Sequence, residues 1–541
     1  MTGWKVGQVS FKLGSTSPPA ARDAQADKAL LNRILETARG GDIEAATGLA
    51  ETALAGGLEH PLLFNLVAGR REAEGRFEDA LSLLERAHAA SPDDVGVRQA
   101  LGLVLHRLER YADALGHFDA VTAAQPDFAP AHGARGLVLE ALGDVRRARA
   151  AYDRALALQP DNLAAMAGKA SLASGEGAHA EARDLAQAVL DAAPGYPDAV
   201  MTLASAELAA GETTAAEARL DALAADPRAT PQQQALALGL LGDVLDAEGV
   251  ADAAFEAYRD CNGRLAQAYR DRFGAGESAL AYARELIETV RTAPSGAWSA
   301  TPEPPVSGAR GHVFQVDFFR SGASRLDQAL ARCGGAAVLD AGDPLIDAVR
   351  TYARRPQDLI RLAGAKAADL TPLREAYWAR VAQAGVDPAG KVFVDRSLAN
   401  IFSLPLIAKL FPEARLLVVR RDPRDAVLGA FRRRFAMSAA AYQVLTLQGT
   451  ADYYDAAMQL GERHDAPNRI TVRHEDIAED VDAAGRLVFD ALGLEWTGAP
   501  GEPRPAGAPT ADEPGHWRWY AEAMAPVMPT LRPWVDTFGY A

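Results

Sequence analysis

Two short stretches of this chain place charge beside turn-forming residues in a way that suits anion binding. The first is Val316-Asp317-Phe318-Phe319-Arg320-Ser321-Gly322-Ala323-Ser324; the second is Arg420-Arg421-Asp422-Pro423-Arg424-Asp425. Each stands where a hydrophobic strand should end and a helix should begin. At such a junction, backbone N–H groups and the helix dipole favour bound phosphate. Two such ends in one sheet suit a ligand with anionic groups at both ends.

The elements around these stretches predict how they are held. After residue 310, β-rich runs at 312–319, 336–340, 391–395, 414–420 and 469–473 alternate with helical stretches. The helical stretches include 322–333, 399–410, 423–435, 450–463 and 480–492. Alternating β and α predicts a mostly parallel sheet covered on both faces. Ligands of such sheets bind at the carboxyl ends of strands, where both stretches lie.

The front half repeats with a period of 34. Pro92, Pro126, Pro160 and Pro194 keep that spacing, as do Ala46, Ala80, Ala114, Ala148, Ala182 and Ala216. Phe118 and Tyr152 each stand four residues after their alanines. Small residues let paired helices approach, the aromatic fills the gap to the next pair, and proline ends the second helix. A further unit around Ala254, Phe255 and Tyr258 is shifted by four residues, which predicts a longer connection before it. The expected organisation is a polar tail at 1–27, about seven helical units at 28–292, a linker at 293–310 and an α/β domain at 311–541. Pro294, Pro302, Pro304 and Pro305 mark the linker.

Composition bounds the rest. The 541 residues carry a net charge of −16, unevenly placed. Residues 311–541 hold 27 Lys+Arg and 29 Asp+Glu; subtraction from the totals of 56 and 72 leaves 29 and 43 for residues 1–310. So acidic a front half argues against nucleic-acid binding there and leans toward a basic partner, or simply toward solubility. Two cysteines, Cys261 and Cys333, exclude a disulfide framework and any cysteine–histidine zinc spacing. No long apolar run or signal pattern appears, so a cytoplasmic protein with no membrane span is expected.

The 34-residue unit resembles the tetratricopeptide repeat, a helix–turn–helix whose stacking makes an α superhelix. The back half resembles the sulfotransferases that use 3′-phosphoadenosine 5′-phosphosulfate. Their phosphosulfate loop reads Gly-x-Pro-Arg-Ser-Gly-Thr-Thr-Leu, against 317–325 here. The Arg420–Asp425 stretch resembles their 3′-phosphate motif. Between the two lie Asp395-Arg396-Ser397-Leu398-Ala399-Asn400 and Leu410-Phe411-Pro412-Glu413-Ala414, similar to the family's Asp-Lys-x-Pro-x-Asn and Leu-Phe-Pro-x-Ala. Arg473-His474-Glu475-Asp476, His516-Trp517-Arg518-Trp519-Tyr520 and Gly539-Tyr540 follow in family order. This resemblance implies an α superhelix followed by an α/β P-loop-like domain of the sulfotransferase fold.

The resemblance also implies roles. Arg320, Ser321, Gly322, Ala323 and Ser324 would cradle the 5′-phosphosulfate, with Arg320 stabilising charge as the sulfuryl group moves. Arg421 would take the 3′-phosphate, sharing it with position 429, where the family has serine and this chain has Gly429. An ion pair of Arg421 with Asp422 or Asp425 is the competing role. Asp343 would be the base for the acceptor hydroxyl, with Asp340 the alternate and an N-cap before Pro344 the competing role. Arg396 would stand in for a lysine at the transferring group. His474 is expected to pack, and Glu475 and Asp476 to be structural. The run Arg432-Arg433-Arg434 reads either as a solvated helix face or as a contact to an acidic substrate.

The implied activity is sulfuryl transfer from 3′-phosphoadenosine 5′-phosphosulfate to an acceptor hydroxyl, without a metal. The repeats would bind a protein or peptide, and a homo-oligomer is compatible with the sequence. Asp317 for glycine, Phe319 for proline, Ala323 for threonine, Leu398 for proline and Gly429 for serine depart from the pattern. They leave an alternative: a degenerate sulfotransferase fold acting as a non-catalytic scaffold for proteins.

Overall fold

The computed structural model describes residues 24–274, 278–294, 296–300, 308–319, 324–340, 342–463, 468–498 and 513–540. The backbone divides into two compact units, Met1–Ala206 and Glu207–Ala541.

The first unit is built from antiparallel helix pairs. They are α1–α2 (Ala24–Arg39, Ile43–Ala55), α3–α4 (Pro61–Ala73, Phe77–Ala90) and α5–α6 (Val95–Arg107, Tyr111–Ala124). Then come α7–α8 (Ala129–Ala141, Val145–Leu158) and α9–α10 (Leu163–Gly175, His179–Ala192). α11 (Pro197–Ala209) spans the division, and α12 (Thr213–Ala225) and α13–α14 (Pro231–Ala247, Ala251–Ala268) belong to the second unit. The periodic alanines are the points of helix contact: Ala46, Ala80, Ala114, Ala148, Ala182 and Ala216 are all fully buried. A second device sits beside them. A Cβ at Gly102 would meet Phe118 at 2.7 Å, one at Gly136 would meet Tyr152 at 2.6 Å, and one at Gly242 would meet Tyr258 at 2.5 Å. Each pair is sixteen residues apart, so an aromatic ring of the second helix lies flush on the bare backbone of the first. The shifted unit predicted around Tyr258 is the pair α13–α14, whose helices are the longest of the repeats, at 17 and 18 residues.

The rest of the second unit begins with α15 (Ala279–Thr292) and continues as an α/β layer structure. Its elements are β1 (Gly311–Val316), α16 (Ser324–Arg332), β2 (Ala336–Leu339), α17 (Ile346–Tyr352), α18 (Ala367–Gln383) and β3 (Val392–Asp395). There follow α19 (Leu404–Leu410), β4 (Arg415–Arg420), α20 (Pro423–Arg432), α21 (Leu447–Arg463), β5 (Arg469–Arg473), α22 (His474–Glu479), α23 (Val481–Leu492) and α24 (Met528–Phe538). The five strands form one parallel sheet in the order β2-β3-β1-β4-β5.

Alternation along the strands divides the core. Val313, Val394, Leu417 and Val419 face Leu326 and Leu330 of α16 and Val488, Phe489 and Leu492 of α23. Phe314, Phe393 and Leu416 face the opposite side, with Tyr377, Ile407, Val427, Leu428 and Tyr454. Side chains of successive strand residues point to opposite faces, so a strand covered on both sides must be apolar throughout. One consequence places the site. β1 and β4 are neighbours, yet α16, which follows β1, covers one face and α20, which follows β4, covers the other. A crevice opens between carboxyl ends where connections diverge in this way.

Candidate functional site

Described residues of both candidate stretches border this crevice. Asp317, just past β1, and Arg421, just past β4, line one narrow cavity. Arg320, Ser321, Gly322 and Ala323 lie outside the described residues; Ser324 is described as the first residue of α16. Phe319, at the position where the resemblance expects proline, adopts φ +34°. A bulky residue at positive φ costs about 1–3 kcal/mol and persists only where its surroundings hold it. Here the ring packs on Phe435, with centroids 4.8 Å apart, and on Phe318 at 4.9 Å. Asp317 is buried, and one of its carboxylate oxygens accepts from Gln315 Nε2 at 3.2 Å. The carboxylate is thus turned back along its own strand.

The β4 side is described in full. Asp422 caps α20, accepting from the backbone N–H of Arg424 at 2.9 Å and pairing with its guanidinium at 2.7 Å. Arg424 is also buried and stacks over Trp517 at 4.1 Å. Arg420 is drawn to Glu462, shared with Arg469, and lies over Phe538. Arg421 is buried, and a Cβ at Gly429, two turns along α20, would stand 3.8 Å from its Nη1. Gly429 and Arg421 therefore face each other, on the spacing that the resemblance uses for a shared phosphate. The two oxygens of Asp425 accept from the backbone N–H groups of Gly515 at 2.6 Å and Trp517 at 2.7 Å. Burial raises its pKa; Arg421 and those two N–H groups oppose the rise.

Glu475 is a brace. It accepts from the Asp422 N–H at 2.9 Å and from the Tyr540 hydroxyl at 2.8 Å, so the Gly539-Tyr540 end of the sequence is tied to the start of α20. Arg473 lies over the Tyr540 ring. His474 is buried.

The carboxylates form a second group at the ends of β2 and β3. Arg396 pairs with Asp327 of α16 at 2.5 Å and with Asp340. Asp340 is thus partnered, and Asp343 stands exposed after Gly342, which adopts φ +108°. Partial burial and the charge of Asp395 raise the pKa of Asp343, against the Leu345 N–H and the charges of Arg380 and Arg350. The contact to Leu345 has the character of a cap for the turn before α17. Asp395 itself is buried, accepting from Ser397 N–H at 2.9 Å and Tyr377 Oη at 2.8 Å, and burial raises its pKa. Asn400 donates to the carbonyls of Gln315 and Asp395, which ties the ends of β1 and β3 together.

Of the arginine run at the end of α20, Arg433 is exposed, as a solvated face predicts, but Arg432 and Arg434 are engaged within the protein. Arg432 is buried and pairs with Asp246 of α13 at 2.5 Å; Arg434 pairs with Asp243 and donates to the Gly239 carbonyl at 2.9 Å. Their partners lie nearly two hundred residues away, so local sequence could not reveal them. Asp246 also accepts from His516 Nε2 at 2.9 Å and from Tyr520 Oη.

Comparison with known proteins agrees with this architecture. Residues 319–498 match the model of the sulfotransferase family. Residues 72–138, 134–197 and 173–240 match models of the tetratricopeptide repeat. The chain is a tetratricopeptide-repeat array followed by a sulfotransferase-family domain. Similar solved structures include a tetratricopeptide repeat protein of Parabacteroides merdae, 17% identical, spanning 44% of this chain and 94% of its own, with a TM-score of 0.35. PilW, a type IV pilus biogenesis factor, is 20% identical over 40% of this chain and 95% of its own, with a TM-score of 0.32. A tetratricopeptide repeat protein of Thermus thermophilus is 20% identical over 34% of this chain and 98% of its own, with a TM-score of 0.30. No curated protein matches the chain. Among the described residues, no helix is long and apolar enough to cross a membrane.

Proposed function

We propose that the chain transfers a sulfuryl group from 3′-phosphoadenosine 5′-phosphosulfate to an acceptor hydroxyl, and that its repeats hold a protein acceptor or partner. The observation that carries this reading is Arg421: a buried guanidinium at the start of α20, facing Gly429, at the crevice between β1 and β4. A buried arginine beside a helix N-terminus fits a phosphate, and the 3′-phosphate separates this donor from simple adenylates. Arg320, Ser321, Gly322, Ala323 and Ser324 would hold the phosphosulfate, with Arg320 bearing the charge of the leaving phosphate.

In the reaction, the acceptor oxygen bonds to sulfur as the bond from sulfur to the 5′-phosphate oxygen breaks. The electron pair leaves with 3′-phosphoadenosine 5′-phosphate. The hydroxyl proton passes to Asp343, whose pKa is raised by partial burial and the charge of Asp395. Arg396, held by Asp327 and Asp340, would face the transferring group from the β3 side.

A non-catalytic scaffold is the second reading. It draws on Asp317, whose negative charge lines the same cavity as Arg421. Calorimetry of the whole chain with 3′-phosphoadenosine 5′-phosphate separates the two. Binding that Arg421→Ala weakens far more than it weakens adenosine 5′-phosphosulfate is expected. Folded protein that binds neither nucleotide would leave the scaffold reading standing alone.

A further inference from the structure

The anion helix α20 is held at both ends by groups that converge on one carboxylate outside the sheet domain. At its carboxyl end, Arg432 reaches Asp246 of α13 and Tyr258 of α14, and Asn262 of α14 donates to the Phe431 carbonyl at 2.8 Å. Phe255 of α14 stacks on Phe431 with centroids 5.4 Å apart. At its amino end, the N–H groups of Gly515 and Trp517 hold Asp425. His516, the residue between them, reaches back to Asp246, and so does Tyr520. Asp246, Arg432, His516 and Asp425 are all at most 5% exposed, so none of these links is loosened by water.

Asp246 is ionised. Burial alone would raise its pKa, but the hydrogen bond from His516, the charge of Arg432 and the Tyr520 hydroxyl outweigh it and hold the carboxyl below its usual range. A buried carboxylate with several donors is a fixed anchor: removing its charge strands the cation that depended on it.

We propose that Asp246, on the last helix pair of the repeats, is a positioning residue for the phosphate site at Arg421. The route runs through Asp425. Gly515 and Trp517 hold its two oxygens in place, while the charge of Arg421 acts on it from nearby. If the 515–520 segment loses its anchor, Asp425 is released one turn from Arg421 and competes with the ligand for the guanidinium. The phosphate site is thus completed by α13–α14, and residues 311–541 alone do not hold it. This inference rests on the sulfotransferase reading, because it presumes that Arg421 binds the 3′-phosphate.

A double-mutant cycle on the whole chain tests it. Asp246→Asn keeps the shape and removes the charge. It is expected to weaken 3′-phosphoadenosine 5′-phosphate tenfold or more and adenosine 5′-phosphosulfate less than threefold. In an Arg421→Ala background it should cause no further loss. His516→Gln, which leaves the Arg432–Asp246 pair intact, serves as the second variant if Asp246→Asn melts early, and should show the same selectivity. Equal losses for both nucleotides, or additive losses in the cycle, would overturn the positioning role while leaving the donor assignment intact. A wild-type chain that binds neither nucleotide would remove the donor assignment, and this inference with it.

Discussion

Replacing Gly429 with serine should strengthen nucleotide binding, and the structure indicates by how much. Gly429 is half-buried on α20, and among the described residues beyond its own helix backbone an added Cβ would meet Arg421 Nη1 at 3.8 Å, an ordinary contact. A serine therefore fits without displacing anything, and its hydroxyl stands one bond further out on the side that Arg421 faces. A hydrogen bond to a charged group contributes about 1.5–3 kcal/mol, or roughly ten- to a hundredfold in affinity. Exchanging glycine for serine inside a helix also gains about 0.5 kcal/mol in stability. Calorimetry of Gly429→Ser should show the gain for 3′-phosphoadenosine 5′-phosphate and almost none for adenosine 5′-phosphosulfate. The competing fate of the hydroxyl is a bond to the Asp425 carbonyl, four residues back. A higher melting temperature with unchanged affinity would mean that the hydroxyl took that bond. It would refute the claim that position 429 shares a phosphate with Arg421.

Asp343→Asn should lower turnover at least a hundredfold while nucleotide affinity changes less than twofold, as measured by steady-state kinetics beside calorimetry; unchanged turnover retires it as the base. Because burial and Asp395 raise its pKa, turnover should rise with pH along an acid limb centred above the ordinary aspartate value, and that limb should vanish in the asparagine variant. In the repeats, Gly136→Ala should destabilise the chain. Tyr152 is fully buried and its hydroxyl is bonded to Glu140 at 2.7 Å, so it cannot yield to a methyl group 2.6 Å away. Overpacking costs about 1–3 kcal/mol against about 1 kcal/mol gained in helix propensity. A lower urea midpoint is expected, and an unchanged or higher one refutes the close-approach argument.

Much of this fold is legible in the sequence because its signals are local and repeated. The period of 34 marks the helix pairs from α1–α2 to α11–α12 through alanines that are all buried, and the last pair, α13–α14, is offset by four residues. The five strands are short, apolar and bounded by turn residues, and they fall within a residue or two of 336–340, 391–395, 414–420 and 469–473; β1 alone stops three residues early, at Val316. It stops there as the Asp317 carboxylate turns back to Gln315 and Phe319 adopts φ +34°. α18 is harder to read, because Pro372 inside it looks like a break. That helix survives because Leu370, Tyr377, Trp378 and Val381 are buried in the core. At the site, the facing of Arg421 and Gly429 follows from helix periodicity and can be foreseen. The partners of Arg432 and Arg434 cannot, since nothing near an arginine announces a carboxylate 186 residues earlier.

The bond between Arg432 and Asp246 also changes what the proline-rich stretch at 293–310 does. That stretch reads as the join between two modules, yet α13 and α14 grip the end of α20 through one buried and one partly exposed ion pair and through stacked rings, from the other side of it in sequence. A protease that cuts the chain there severs the covalent thread and leaves the contact. The two fragments should travel together through a sizing column, as a nicked protein does, and part only in denaturant.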